Sequence, residues 1–256
     1  MRHPFTHHRK NSMLLGLDIG LSEIKLIELS RDAENNICLE RCASAPLPRG
    51  AIADGNIENL AQVTDVVRYL WKISGTRSRH VALSIPSAAA ITRKISMPAG
   101  INEYHLAALI ETEGRQQLPF LEADACIDFL VIGPATHSPN KIEVMVAAAR
   151  RDVIEDRVAI AEAANLTPMV VDIDSYAANT AISHLLTPHD NEEAPVALLQ
   201  IGMQKSHLSL RCGNQIVYDR EHAFGGIQLT QAIVHAYELP YEEAEARKKS
   251  GDLPSG

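Results

Sequence analysis

One short signature occurs twice in this chain, and its recurrence limits the fold more than any other feature. Leu17-Asp18-Ile19-Gly20 and Leu199-Gln200-Ile201-Gly202 lie 199 − 17 = 182 residues apart, and at the same offset Leu26 falls on Leu208. In each copy an apolar run breaks at a glycine and a second run returns, the pattern of a β-hairpin. Small polar residues follow each turn, Ser22 in one copy and Ser206 in the other. Backbone N–H groups that point outward at such a turn make a nest for phosphate oxygens, and glycine allows the close approach. An acidic residue just before the turn, Asp18 in the first copy, can hold Mg2+ through its water shell against those phosphates. Two related hairpins, each opening an α/β block, predict a nucleotide cleft shared by the blocks. A single Asp-Ile-Gly would mark no more than the end of a strand.

The rest of the pattern fits two blocks. Residues 14–30 read as strand, turn and strand, and 37–43 as a third strand of the same meander. Leu60, Val63, Val67, Leu70 and Ile73 share one helix face, and Gly75 stops that helix. Short strands are expected at 81–85 and 90–95 around Pro86. Asn102 caps a helix that reaches Gln117 and is stopped by Pro119, and 127–132 and 143–149 read as strands around the turn-rich stretch 133–140. A second block opens at 151 with a helix, a strand at 168–173 and a helix at 175–186. The polar, acidic stretch 187–195 reads as a linker, 196–211 as strand–turn–strand, and 226–237 and 241–249 as helices.

Composition excludes several classes. Lys plus Arg is 24 against 32 Asp plus Glu, a net charge of −8, so no clustered basic excess marks a nucleic-acid partner. Hydrophobic residues are 46% and charged residues 22%, which excludes wholesale disorder. Aromatics are 4% with Trp71 alone of its kind, so the core is aliphatic. No stretch reaches the roughly 18 apolar residues of a membrane helix, and the chain reads as soluble. Residues 1–12 carry Arg2, Arg9 and Lys10 with no apolar run behind them, a disordered basic extension rather than an export signal. Cys38, Cys42, Cys126 and Cys212 form no C-x-x-C and read as free thiols of a reducing compartment.

The stretch 15–29, LGLDIGLSEIKLIEL, followed by Pro46-Leu47-Pro48, resembles the opening of the PilM family of actin-like type IV pilus assembly proteins. The resemblance continues through Glu111-Thr112-Glu113 with Gln117-Leu118-Pro119-Phe120, Ala147-Ala148-Ala149-Arg150 and 171–177. It runs on through Phe224-Gly225-Gly226-Ile227-Gln228-Leu229-Thr230 and Glu242-Glu243-Ala244-Glu245 with Lys248. It is collinear over about 13–254. It implies an α/β, actin-like fold of the ribonuclease H-like duplicated type, related to FtsA, with two lobes and ATP between them. The first lobe would span 13–150, with an inserted α+β subdomain at about 81–149, and the second 151–256. The family implies a cytoplasmic location against the inner membrane. It also implies binding of the N-terminal cytoplasmic segment of PilN, and a link from the PilN–PilO complex to the pilus motor in pilus biogenesis and twitching motility. Carried over by position, Asp18, Gly20, Ser22 and Lys25 belong to the first phosphate hairpin, and Gln200, Gly202 and Ser206 to the second. Gly225 and Gly226 would form the glycine turn near the nucleotide, Glu245 and Lys248 the ribose side, and Gln117 to Phe120 part of the peptide groove. Lys25 also fits a solvated strand lysine, and 117–120 a plain core turn.

Two departures shape the expected activity. The family carries an aspartate where this chain has Gln200, and a neutral amide does not compensate Mg2+ as a carboxylate does. Binding of ATP is therefore expected rather than hydrolysis, and the chain is not expected to be an enzyme. The family also continues for a further block, so the second lobe is expected to be incomplete. A sugar or acetate kinase of the same fold would need both acidic phosphate residues and a complete substrate domain. An FtsA-like division protein would carry a C-terminal amphipathic helix. Asp172 and Asp174 stand two apart, as a carboxylate pair or as helix-capping residues before Ser175.

Overall fold

A computed structural model describes residues 14–53, 55–114, 124–135, 138–185, 194–213 and 215–253. The basic extension 1–12, the segment Gln117 to Phe120 and most of the acidic linker lie outside the described residues. The chain divides into two compact units, Met1–Asp174 and Ser175–Gly256.

The first unit opens with β1 (Leu15–Ile19), β2 (Glu23–Arg31) and β3 (Ile37–Pro46), an antiparallel meander. A small hairpin, β4 (Ile52–Ala53) and β5 (Asn56–Ile57), leads into α1 (Leu60–Ser74). The Asn59 side chain caps that helix by accepting from the Gln62 amide at 3.0 Å, and Gly75 ends it at φ 66°. Then come β6 (His80–Ile85), β7 (Ala90–Pro98), α2 (Glu103–Leu109), β8 (Ala125–Ala135), β9 (Ser138–Arg150), α3 (Arg151–Ala163) and β10 (Thr167–Ile173). The main sheet has the order β10-β6-β1-β2-β3, with β6 parallel to both β1 and β10.

Alternation sets which face of this sheet is core. Leu15, Leu17, Ile24, Leu26, Val81 and Leu83 are buried together with Val63, Val67 and Leu70 of α1 and Ile160 of α3. Each such side chain contributes about 1.5–3 kcal/mol on burial. Glu28, also on the inner face, is buried with the Arg41 guanidinium 3.3 Å away. On the other face Gly16 stands opposite Ile27, and a Cβ at Gly16 would come within 2.8 Å of the Ile27 Cγ2.

Within the first unit β7, β9 and β8 form a separate antiparallel sheet, with β9 central. Ile95, Met97, Val144 and Val146 pack there with Leu106 and Ile110 of the α2 segment, which runs on as a wider π-type turn over Ile110–Gly114. Asn102 caps α2 as its sequence predicts, accepting from the His105 amide. The expected boundaries shift. β6 belongs to the main sheet, so the inserted piece begins after Ile85 rather than at 81. β10 pairs with β6, so residues 151–174 group with the first unit rather than opening the second.

The second unit starts on α4 (Asp174–Leu185), whose first residue closes the first unit. Next come β11 (Val196–Ile201), β12 (Ser206–Cys212) and β13 (Gln215–His222), then α5 (Gly226–Tyr237) and α6 (Tyr241–Ser250). The three strands form an antiparallel meander, so the expected hairpin gains a third strand. Polar groups tie α4 to β12. The Asn179 side chain amide donates to Ser175 O at 2.8 Å, its oxygen accepts from the Ser209 hydroxyl at 3.3 Å, and its carbonyl accepts from Arg211 at 2.7 Å.

Candidate functional site

The two hairpins of the repeated signature have the same turn. Gly20 N donates to Glu23 O at 3.1 Å, and Gly202 N donates to Lys205 O at 2.9 Å. The strand registers also correspond: Asp18 faces Lys25 in one hairpin, and Gln200 faces His207 in the other. In both turns a Cβ on the glycine would press on the accepting carbonyl, at 3.0 Å for Gly20 and 2.9 Å for Gly202. The register also shows that Ser206 corresponds to Ile24, since 206 − 182 = 24, and not to Ser22. Ser206 spends its hydroxyl on Phe224 O at 2.6 Å, which pins the chain ahead of α5.

In the first unit, Asp18 lies at the carboxyl end of β1, where the parallel strands β1, β6 and β10 all terminate. Sites of α/β sheets collect at such ends. The Lys25 ammonium is 3.8 Å from Asp18 and 3.2 Å from Glu23. Asp174 follows β10 and accepts from the amide of Ser87 at 2.9 Å and from its hydroxyl. Behind them is Arg157 of α3, fully buried, which donates to Val153 O at 3.0 Å and Gly55 O at 3.2 Å while its Nε has no partner. Burial raises the pKa of Asp18. Lys25 opposes the rise, Asp174 and Glu23 add to it, and Arg157 opposes it. Half of the side-chain surface, 54%, is nevertheless open, so desolvation is partial and comes from the side facing the fold. Burial lowers the pKa of Arg157 against the pull of Asp156, Asp174 and Asp18. Asp172 turns to its own neighbour, accepting from Ile173 N at 2.7 Å, and its partner across the sheet is Ser84.

In the second unit, a compact cluster joins the hairpin to both helices. Gly226 N donates to Gly202 O at 2.9 Å, and Ile227 N donates to Met203 O at 2.8 Å. A Cβ at Gly225 would lie 2.6 Å from both of those carbonyl oxygens. Gly225 N donates to the Gln228 side chain at 2.8 Å. The amides that open α5 are thus engaged, and the glycine at 225 is required by backbone packed on backbone. From α6, the Lys248 ammonium lies 2.6 Å from the Glu245 carboxylate, 2.9 Å from the Thr230 hydroxyl and 3.2 Å from Gly226 O. Burial would raise the pKa of Glu245, but Lys248, Thr230 and Lys249 together hold it below the ordinary range. His207 pairs through Nε2 with Asp219 at 2.8 Å, and its buried Nδ1 has no partner.

Sequence reading selected Asp18, Gly20, Ser22 and Lys25, and these four share one hairpin. It selected Gly202, Gly225, Gly226, Glu245 and Lys248, and these gather in the second cluster. Thr230, buried between Glu245 and Lys248, was inside the family segment yet given no role. Arg157 was missed, although a cation on the stripe Val153, Arg157, Ile160 and Ala164 is a legible anomaly. The chemistry of the first hairpin suits a polyphosphate carrying Mg2+: a half-exposed carboxylate, an ammonium and the exposed Ser22 on one turn. Among the described residues no three His, Cys, Asp or Glu side chains converge to ligate a metal directly.

A mixed sheet opened by a glycine-turned hairpin, and the same hairpin repeated in the second unit, are those of an actin-like protein. The family model for type IV pilus assembly protein PilM matches residues 16–256, and the chain belongs to the PilM family. Among solved structures it is similar to a chain of a PilM–PilN type IV pilus biogenesis complex, at 27% identity and a TM-score of 0.78 over 92% of this chain and 69% of that one. It shares its fold with the ethanolamine utilization protein EutJ from Carboxydothermus hydrogenoformans, at 16% identity and a TM-score of 0.54 over 93% of this chain and 61% of that one.

Proposed function

We propose that this chain is a nucleotide-binding scaffold of type IV pilus assembly that takes the N-terminal cytoplasmic segment of PilN. The observation that carries the reading is the likeness to the chain solved in a PilM–PilN complex, over 92% of the length. The scaffold works on the cytoplasmic side of the inner membrane and joins the PilN–PilO complex to the pilus motor. Among the described residues no helix is long and apolar enough to cross a membrane, which suits attachment through partners. ATP is the nucleotide, and its bound Mg2+ neutralises phosphate charge. Asp18 holds the ion's water shell, while Lys25 and Ser22 contact the phosphates. Gln200 brings no charge to the second hairpin, so the chain binds ATP without appreciable turnover. Glu245 and Lys248 form the ribose side.

A titration tests the proposal. The protein is mixed with a synthetic peptide from the N-terminus of the cognate PilN, with and without ATP–Mg2+. Saturable binding with negligible phosphate release is the expected result. Phosphoryl transfer to a small molecule, or no peptide binding under either condition, would reject it.

A further inference from the structure

The chain is acidic overall, yet no Asp or Glu occurs from Val66 to Asn102. Four basic residues of that stretch, Arg68, Lys72, Arg77 and Arg79, gather where α1 ends and the chain turns into β6. Arg68 donates to Ala163 O at 2.6 Å and Arg79 to Asn165 O at 3.0 Å, at the end of α3. Arg41 reaches the same place from β3, donating to Ser74 O at 3.4 Å. The loop that carries the cations is fixed from within. Arg79 lies 4.0 Å over the Trp71 ring, the Trp71 indole donates to Ser78 O at 2.9 Å, and Ser78 N donates to the hydroxyl of buried Thr76 at 3.1 Å. Asp65 and Glu28 are already paired with Arg68 and Arg41. Lys72 and Arg77 are exposed and have no acidic partner among the described residues. Tyr69 and Ile73, on the same helix face as Lys72, are 56% and 49% exposed.

We propose that this end of the first unit rests on an anionic lipid surface. Clustered cations attract the lipid phosphates, while the exposed Tyr69 and Ile73 beside them enter the headgroup boundary. A soluble polyanion would take the cations but leave Ile73 in water, and that difference selects the lipid. Repulsion from the acidic remainder of the chain is screened beyond about 10 Å at 0.1 M salt. The patch stands at the amino ends of the parallel strands β1, β6 and β10, the opposite end from Asp18. Bound lipid therefore leaves the Asp18 hairpin open.

Co-sedimentation of the whole chain with lipid vesicles tests this. The wild type is expected to bind vesicles of phosphatidylcholine mixed with phosphatidylglycerol and to ignore phosphatidylcholine alone. Binding is lost at about 1 M salt, where the screening length falls to about 3 Å. Lys72→Ala combined with Arg77→Ala weakens binding about fivefold for each cation removed. Lys141→Ala combined with Arg220→Ala takes the same charge from exposed positions elsewhere and leaves binding unchanged. Ile73→Ser weakens binding severalfold, through lost apolar burial. A wild type that ignores the anionic vesicles at low salt overturns the proposal. So does full binding by the Lys72 and Arg77 double variant, or equal loss from both double variants. Full binding by Ile73→Ser overturns it as well, and gives the patch to a soluble polyanion.

Discussion

Gly226 donates its amide to Gly202 O across 2.9 Å, and this bond seats the start of α5 on the second hairpin. The seat exists because Gly225 has no side chain to hold the two backbones apart. Gly225→Ala is expected to destabilise the second unit by about 1–3 kcal/mol, the usual cost of forcing a group into a packed site. Gly226→Ala should cost less, since its Cβ would meet the movable end of Lys248 at 3.2 Å and Gly202 O at an ordinary contact distance of 3.7 Å. Urea unfolding of both variants, followed by far-UV circular dichroism, checks the order.

The Glu245 carboxylate gives the second unit an acid-sensitive contact. Burial works to raise its pKa, but Lys248, Thr230 and Lys249 bring it below the unfolded value. A depressed carboxyl adds stability that is present above its unfolded pKa and is lost as pH falls through its folded pKa. Lys248→Met should therefore lower the melting temperature at neutral pH and flatten its fall on acidification. A melting curve series from neutral to acid pH decides it. Identical profiles for the two proteins would show that the cluster contributes nothing.

Asp18 works in the opposite sense. Burial raises its pKa in the folded chain, with Lys25 opposing and Asp174 and Glu23 adding. Its ionised form costs the folded state in full above the folded pKa, and the cost is gone below the unfolded pKa. Asp18→Asn is expected to raise the melting temperature of the ligand-free protein at neutral pH and to lose that gain in acid. On the proposed function it also removes the stabilisation given by ATP–Mg2+, which follows ligand concentration over dissociation constant. Gly20→Val should remove the same stabilisation through the crowded turn. Survival of the ATP shift in either variant would take the phosphates away from this hairpin.

Gln200 faces His207, as Asp18 faces Lys25. Gln200→Asp should restore a second carboxylate and make ATP binding depend more steeply on Mg2+, measured by calorimetry at several Mg2+ concentrations. An unchanged dependence would remove the second hairpin from the phosphate site.

Local pattern made much of this fold legible. The helix over 60–74 follows from five apolar residues on one face and the glycine behind them, and both hairpins follow from runs broken at Gly20 and Gly202. Most of what pattern does not reach is nonlocal. Nothing near Val81 or Val171 states that β6 and β10 lie side by side and parallel, the pairing that draws residues 151–174 to the first unit. Ser206 looked like a partner of Ser22 because both are small and polar, while the strand register puts it with Ile24. β13 was missed although the turn at Gly213 announces it. The Arg157 charge was visible, but its burial beside Asp18 and Asp174 depends on how α3 lies on the sheet.

The contact of Gly16 with Ile27 has a consequence for mutation. A methyl added at position 16 makes the branch at position 27 shift, and shortening that branch in the same variant relieves the contact. Substitutions at the two sites are therefore expected to be non-additive.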